Sequence, residues 1–307
     1  MKLDIIGDIH GHCDTLERLL TKLGYSAQSG DWKHADRKAL FLGDYIDRGP
    51  NVRETLQLVR GMVESGHAFA LMGNHELNAV AYHSRDAAGN PLREHSVKNT
   101  GQHRATLDAF FGREAEWADW VEWLKGLSFY LDLPGLRAVH ACWCERSIGL
   151  VRGASLRDRE FLLAATQLGT DECRALDTLL KGPEYSVAHL GLRIRGRDGI
   201  VREDLRVRWW GRDSESFTLS EITMPPGSQV SDDRITSATL DEAPNLALGG
   251  APVFFGHYKL PHDQPVGPLA EGICCLDYGV GHGGALVAYR WDGEHALEPS
   301  KFVSEQE

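Results

Sequence analysis

Residues 2–12 read KLDIIGDIHGH and residues 39–50 read ALFLGDYIDRGP. In each, a short apolar run stops at a glycine that is followed at once by an aspartate. Lys2–Gly7 and Ala39–Leu42 are expected as strands, and Ala68–Met72, which runs into Gly73-Asn74-His75-Glu76, as a third. Between them Cys13–Leu23 carries Leu16, Leu19, Leu20 and Leu23 at helical spacing and stops at Gly24. Val52–Val63 repeats that pattern, and a further helix is expected to begin near His75. Strands and helices alternating through connections this short predict parallel strands with right-handed crossovers, an α/β fold.

Outward from this core, Ser84–His103 is polar, contains Gly, Asn and Pro, and reads as an inserted loop. Thr106–Phe111 and Glu116–Leu127 are helical in pattern. Trp117, Trp120 and Trp123 are spaced as a helix face packed on the core. Phe129–Leu133 and Leu136–Val139 are expected strands around the turn at Pro134-Gly135. Leu156–Leu180 reads as helix, Val201–Trp210 as a strand, and Met224–Leu248 as a turn followed by a polar surface stretch. Strands return at Pro252–Phe255, Ile273–Leu276 and Ala285–Tyr289. With no internal repeat, the expectation is one domain over 1–307 with insertions near 84–103 and 182–245.

The 307 residues are 42% hydrophobic and 25% charged, ordinary globular values. The formal net charge of −11 argues against an extended nucleic-acid surface, which needs an excess of Lys and Arg. No apolar run approaches the ~18 residues of a membrane span, and the N-terminus lacks a signal-peptide pattern. The six cysteines, two of them adjacent, form no spaced framework and suit a reducing cytoplasm. Cys142-x-Cys144 is half a zinc pattern without a second half, so plain buried thiols are expected.

Five expected strands end in side chains that bind metals. They are Asp8 and His10, Asp44, Asn74, His140 after Val139, and His257 after Phe255-Gly256. In open α/β sheets ligands gather at such carboxyl ends. Asp8 and His10, two apart on an extended segment, project to the same side. Carboxylate, imidazole and amide oxygen together suit Mn, Fe or Zn better than Ca. A carboxylate with two free oxygens can bridge two metals. Each segment alone reads equally well as a turn or a helix cap; five together do not.

The series GDIHGH, GDYIDRGP, GNHE, VH and GH resembles the calcineurin-like metallophosphoesterases. Its strict forms look like the branch of serine/threonine protein phosphatases and symmetrical diadenosine tetraphosphatases. The resemblance runs from Gly7 to His257 and implies a four-layer α-β-β-α sandwich. It implies two metal ions, Mn above Fe or Zn, with Asp8, His10 and Asp44 on one. Asp44, Asn74, His140 and His257 hold the other, and Asp44 bridges. It also implies His75 as general acid oriented by Asp47, Arg48 and Asn74 on the phosphate, and in-line attack by a hydroxide held between the metals.

The chain departs from the protein phosphatases in two places. VHACW stands where they carry a longer motif, and their second phosphate-binding arginine has no counterpart motif here. The Arg-dense interval Lys181–Asp213 offers Lys181, Arg206 and Arg208 as candidates. CLDYGVGHGGALVAYRW is similar to bacterial relatives, with Asp277 and His282 as residues that can face the site, and His12 stands beside it. The expected substrate is phosphorylated, either a phosphoprotein or a small molecule or nucleotide. A dinucleoside polyphosphate is the alternative and would need an adenine pocket, for which Trp209-Trp210 is the candidate stacking surface. An RNA end is weakened by the acidic charge. A non-catalytic scaffold is disfavoured because every ligand and the His75/Asp47 pair are present.

Overall fold

The computed structural model describes residues 1–28, 31–188, 194–195, 201–210, 216–224, 234–236, 250–261 and 265–307. Lys2–Ile6 lies in the middle of the first of two principal sheets. It pairs in parallel with Arg37–Phe41, which pairs in parallel with Ala68–Ala70. On its other side it pairs antiparallel with Ala285–Trp291, and that strand carries Asp277–Tyr278 and Phe302–Gln306 on its edges. The expected β-α-β half is therefore parallel, and the sheet is mixed because the C-terminal strands join it in the opposite sense. Phe302–Gln306 was not expected from the sequence.

Burial of Leu3, Ile5 and Ile6 explains the apolar run, but Asp4 is fully buried as well. It is tolerated because Arg37 Nε lies 3.0 and 2.9 Å from its two oxygens and Arg290 Nε 3.2 Å from one. A buried charge persists only when paired in this way.

In the second sheet Val253–Phe255 runs parallel to both Leu136–Val139 and Ile273–Cys275, while Tyr130–Leu133 pairs antiparallel with Leu136–Val139. The sheets meet where Phe254 and Tyr289 bring their ring centroids within 5.3 Å. Gly7 also lies against the chain linking the sheets, where a Cβ would stand 2.1 Å from the Leu276 carbonyl oxygen. Cys13–Leu23 buries Leu16, Leu19, Leu20 and Leu23 and ends at Gly24 with φ 90°, a conformation that favours glycine. Val52–Glu64 buries Leu56, Val59 and Met62. The result is a mixed α/β fold of two sheets and flanking helices around one continuous hydrophobic core.

Several expected elements are corrected. Leu156–Leu180 is two helices, Arg159–Thr166 and Asp171–Lys181, because Gly169 turns the chain at φ 93° and Thr170 Oγ1 caps the second helix on Cys173 N. Val201–Trp210 is not one strand: Asp204–Arg206 pairs with Glu184–Ser186, and Val207 bridges to Thr223. Ser84–His103 contains the helix Val97–Gln102, capped by Ser96. The turn expected at Pro225-Pro226-Gly227, and most of Met224–Leu248, lie outside the described residues. All six cysteines are buried free thiols. Among the described residues no helix is long and apolar enough to cross a membrane.

Candidate functional site

The loops after the parallel strands converge on Asp44. Its Oδ2 stands 3.6 Å from His10 Nε2 and 3.9 Å from His75 Nε2, and its Oδ1 stands 3.4 Å from His140 Nε2. Two donor groups can each hold a metal ion, His10 with Asp44 and His75, and Asp44 with His140 and His257. Asp44 belongs to both. Asn74 Oδ1 lies 3.1 Å from His140 Nε2. Asp8 is buried nearby, its carboxylate accepting the His257 N–H at 3.1 and 3.2 Å. The structure thus gathers all six residues named from the strand ends and adds His75 beside His10 and Asp44.

Backbone conformation shows how much the site is constrained. Six non-glycine residues among those described adopt φ above zero, and five are His10 (48°), Asp44 (53°), Asp47 (68°), Arg48 (63°) and His257 (64°). Each such residue costs of order 1–3 kcal/mol, held in place by the surrounding fold. Glu76 supplies much of that hold. Its buried carboxylate accepts the backbone N–H groups of Asp44 and Tyr45, each at 2.8 Å, and of Gly73 at 3.0 Å. Burial and the charge of Asp44 push its pKa up to about 7.

The imidazoles are oriented as metal ligands require. His10 Nδ1 faces the Ile46 carbonyl at 3.0 Å and His140 Nδ1 the Leu42 carbonyl at 2.9 Å. A carbonyl only accepts, so Nδ1 carries the proton in both rings and Nε2 points into the site. Among the described residues His257 Nε2 is buried with no hydrogen-bond partner. Burial, then Arg48, keeps His10 well below the ordinary histidine range, and burial, then Arg206, does the same for His257. Burial opposes protonation of His140, but Asp44 outweighs it and raises the ring to about 10. Asp44 facing the unprotonated Nε2 of His10, with the His257 nitrogen close by, favours a cation, and this donor set suits borderline divalent metals.

Glycine packing defines the carboxylate positions. A Cβ on Gly256 would fall 2.0 Å from Asp8 Oδ1, and one on Gly73 2.2 Å from Asp44 Oδ1. Gly256→Ala is expected to displace Asp8, cost about 1–3 kcal/mol as overpacking does, and weaken metal binding. Thermal melts with and without added metal check this. A variant that melts like the parent and binds metal equally would mean that Asp8 can step aside freely.

Beside the two donor groups stands the pair of His75 and Asp47. His75 Nδ1 lies 2.6 Å from Asp47 Oδ2. Burial disfavours the imidazolium, but Asp44 and Asp47 outweigh it and raise the pKa of His75. The other oxygen of Asp47 meets His103 Nδ1 at 2.8 Å and the Thr106 hydroxyl at 2.5 Å. His103 and Thr106 were missed from the sequence, and no spacing signal points to either. Arg48 is exposed at the mouth, with Nη1 3.0 Å from His282 Nε2 and Nη2 3.5 Å from His75 Nε2.

The first 210 residues match the family model described as calcineurin-like phosphoesterase. The chain belongs to that family. It is 45% identical over 76 residues to an asymmetrical bis(5'-nucleosyl)-tetraphosphatase of Oceanobacillus iheyensis, 24% of this chain and 30% of that protein. A bis(5'-nucleosyl)-tetraphosphatase of the same kind from Bacillus subtilis is 37% identical over 102 residues, 33% of this chain and 40% of the other. The chain thus spans less than half the length of these curated relatives. A protein serine/threonine phosphatase from Saccharomyces cerevisiae shares the fold with a TM-score of 0.53 at 12% identity, over 100% of this chain and 79% of that one.

The other candidate residues fall variously. Trp209 and Trp210 are not a stacking surface: both are buried, packed on Phe255, and Trp209 Nε1 donates to the Ala141 carbonyl at 3.0 Å. Lys181 pairs with Asp177 on its own helix at 2.6 Å. Arg206 donates from Nη1 to the His257 carbonyl at 3.1 Å, and among the described residues the Nε atoms of Arg206 and Arg208 are buried without a partner. Asp277 accepts the Lys259 and Gly279 N–H groups at 2.9 Å, a turn-stabilising position, and His12 is buried with Nε2 unpartnered among the described residues.

Proposed function

We infer that this chain, as one domain over 1–307, is a two-metal hydrolase of phosphomonoesters acting in the cytoplasm. The observation that carries the reading is Asp44, a single buried carboxylate facing two groups of metal-binding side chains from opposite oxygens. Asp8, His10 and Asp44 would hold one ion, and Asp44, Asn74, His140 and His257 the other, with Mn favoured over Fe or Zn. Bound there, the ions would neutralise phosphoryl charge and lower the pKa of water.

The chain's own residues do the rest. The exposed guanidinium of Arg48 presents donors to the phosphoryl oxygens in the planar, bidentate geometry that phosphate recognition uses. Asn74 stands within reach of the same group, and Arg206, anchored on His257, is the best placed of the three arginine and lysine candidates for a second clamp. His75, its proton held by Asp44 and Asp47, donates from Nε2 to the departing oxygen. Asp47 keeps the ring in that tautomer through Nδ1.

The test is turnover of p-nitrophenyl phosphate by chelator-treated protein with and without Mn. Activity restored by Mn and absent without it is expected, and metal-loaded protein that hydrolyses no phosphoester would overturn the reading in favour of a scaffold.

A second reading, hydrolysis of dinucleoside polyphosphates, is favoured by one feature. A cavity of about 450 Å³ lined by Phe110, Phe111, Trp117 and His83 offers aromatic surface for a base. His83 Nε2 lies 3.2 Å from His103, which touches Asp47. A panel of phosphopeptides, dinucleoside polyphosphates, nucleotides and 3'-phosphorylated RNA separates the substrate classes.

A further inference from the structure

A small polar cavity of about 70 Å³ opens beside Asp47, Asn74 and His75. Its lining includes Asn78, Arg93, Asn99, Gln102 and His103. Arg93 comes from the segment 84–103, which is fastened rather than loose. The Arg93 and Leu92 N–H groups donate to the Ala81 and Ser84 carbonyls at 3.0 and 2.9 Å. His95 stacks on Tyr82 with centroids 3.7 Å apart and planes 12° from parallel.

The guanidinium of Arg93 is half-buried and lacks a counter-ion. Its Nη2 donates to two neutral acceptors, Asn99 Oδ1 at 2.9 Å and Gln102 Oε1 at 3.2 Å. Among the described residues no carboxylate lies within ion-pairing distance of it. The two acids that act on it are engaged elsewhere, Asp47 with His75, His103 and Thr106, and Asp177 with Lys181. Burial lowers the pKa of Arg93, as expected of a desolvated cation. A partly desolvated arginine fixed by neutral side chains is an anion receptor, because the missing charge partner is what a ligand supplies.

We propose that Arg93 and its amide neighbours form a subsite for a second phosphoryl group, the one that departs, so that the site takes a phosphoanhydride as well as a phosphomonoester. The inference rests on the reading of His75 as the leaving-group acid, since His75 and Arg93 line the same cavity. When the P–O bond breaks, the oxygen of water has joined the attacked phosphorus and the bridging oxygen takes its proton from His75. What lies beyond that oxygen enters the Arg93 cavity. A volume of about 70 Å³ with amide and guanidinium donors suits one compact anion better than an alcohol chain, which would leave the arginine charge unanswered.

Binding tests this apart from turnover. Mn-loaded protein is titrated with methylenediphosphonate, a non-hydrolysable P–C–P diphosphoryl probe, and with methylphosphonate, with Mn buffered in excess. The parent is expected to prefer the diphosphonate, and Arg93→Gln to cut the ratio of the two affinities by about tenfold or more, the weight of one charge-assisted hydrogen bond. Arg93→Lys should restore part of the ratio, which a purely structural role of Arg93 would not produce. No preference in the parent, or an unchanged ratio in Arg93→Gln, overturns the subsite. If the ratio behaves as expected while p-nitrophenyl phosphate is never hydrolysed, the subsite stands and the hydrolase reading falls.

Discussion

Asp44→Asn is expected to reduce bound metal from about two ions per chain to one or fewer and to lower turnover by about four decades or more. The argument is one of charge with shape held constant. Asp44 offers Oδ2 to His10 and Oδ1 to His140, so one carboxylate serves both donor groups. An amide keeps the volume but replaces one oxygen by a nitrogen that donates and cannot ligate. Asparagine also tolerates the φ of 53° at this position, where other replacements would add strain.

The surrounding loop has reason to stay in place in that variant. The Asp44 and Tyr45 N–H groups are gripped by Glu76, and neither bond involves the mutated side chain. Four decades correspond to about 5.5 kcal/mol of transition-state stabilisation, within what loss of metal-centred charge neutralisation supplies. Metal content by elemental analysis and p-nitrophenyl phosphate turnover check the result. A variant that still binds two ions with parental affinity would remove Asp44 from the bridging position.

The six metal-binding candidates were legible because each sits within four residues of a strand end. A strand's period of two and the glycines at 7, 43, 73 and 256 are local signals. Positions brought together over long separations were not legible. Lys2–Ile6 pairs with Ala285–Trp291, and no periodicity in either segment specifies the other. His103 reaches Asp47 only because the six-residue helix Val97–Gln102, polar apart from the exposed Val97, folds the insertion back on the site. Read alone, that segment has no apolar stripe and looks like a loop. Trp209-Trp210 was open to two readings, a stacking surface or the commoner buried core, and the core is what the structure shows. Adjacent aromatics on an alternating segment suggest one exposed face, yet Phe255 and Tyr258 cover Trp210 while Trp209 sits under Ala141.

His75→Asn is the variant that separates two roles the geometry allows one residue. His75 Nε2 lies 3.9 Å from Asp44 Oδ2, close enough to share a metal with His10, and its Nδ1 lies 2.6 Å from Asp47, the arrangement of a positioned acid. If it is the acid, the variant keeps its metals and loses about two to four decades of turnover. Asp47 remains tied to His103 and Thr106, so the loss reports the proton and not a collapsed pocket. The leaving group sharpens the distinction. p-Nitrophenolate departs without needing a proton, whereas an alkoxide does not, so the deficit should be small on p-nitrophenyl phosphate and large on an alkyl phosphate. Equal losses on both substrates, accompanied by a lower metal content, would instead make His75 a ligand of the ion held by His10 and Asp44.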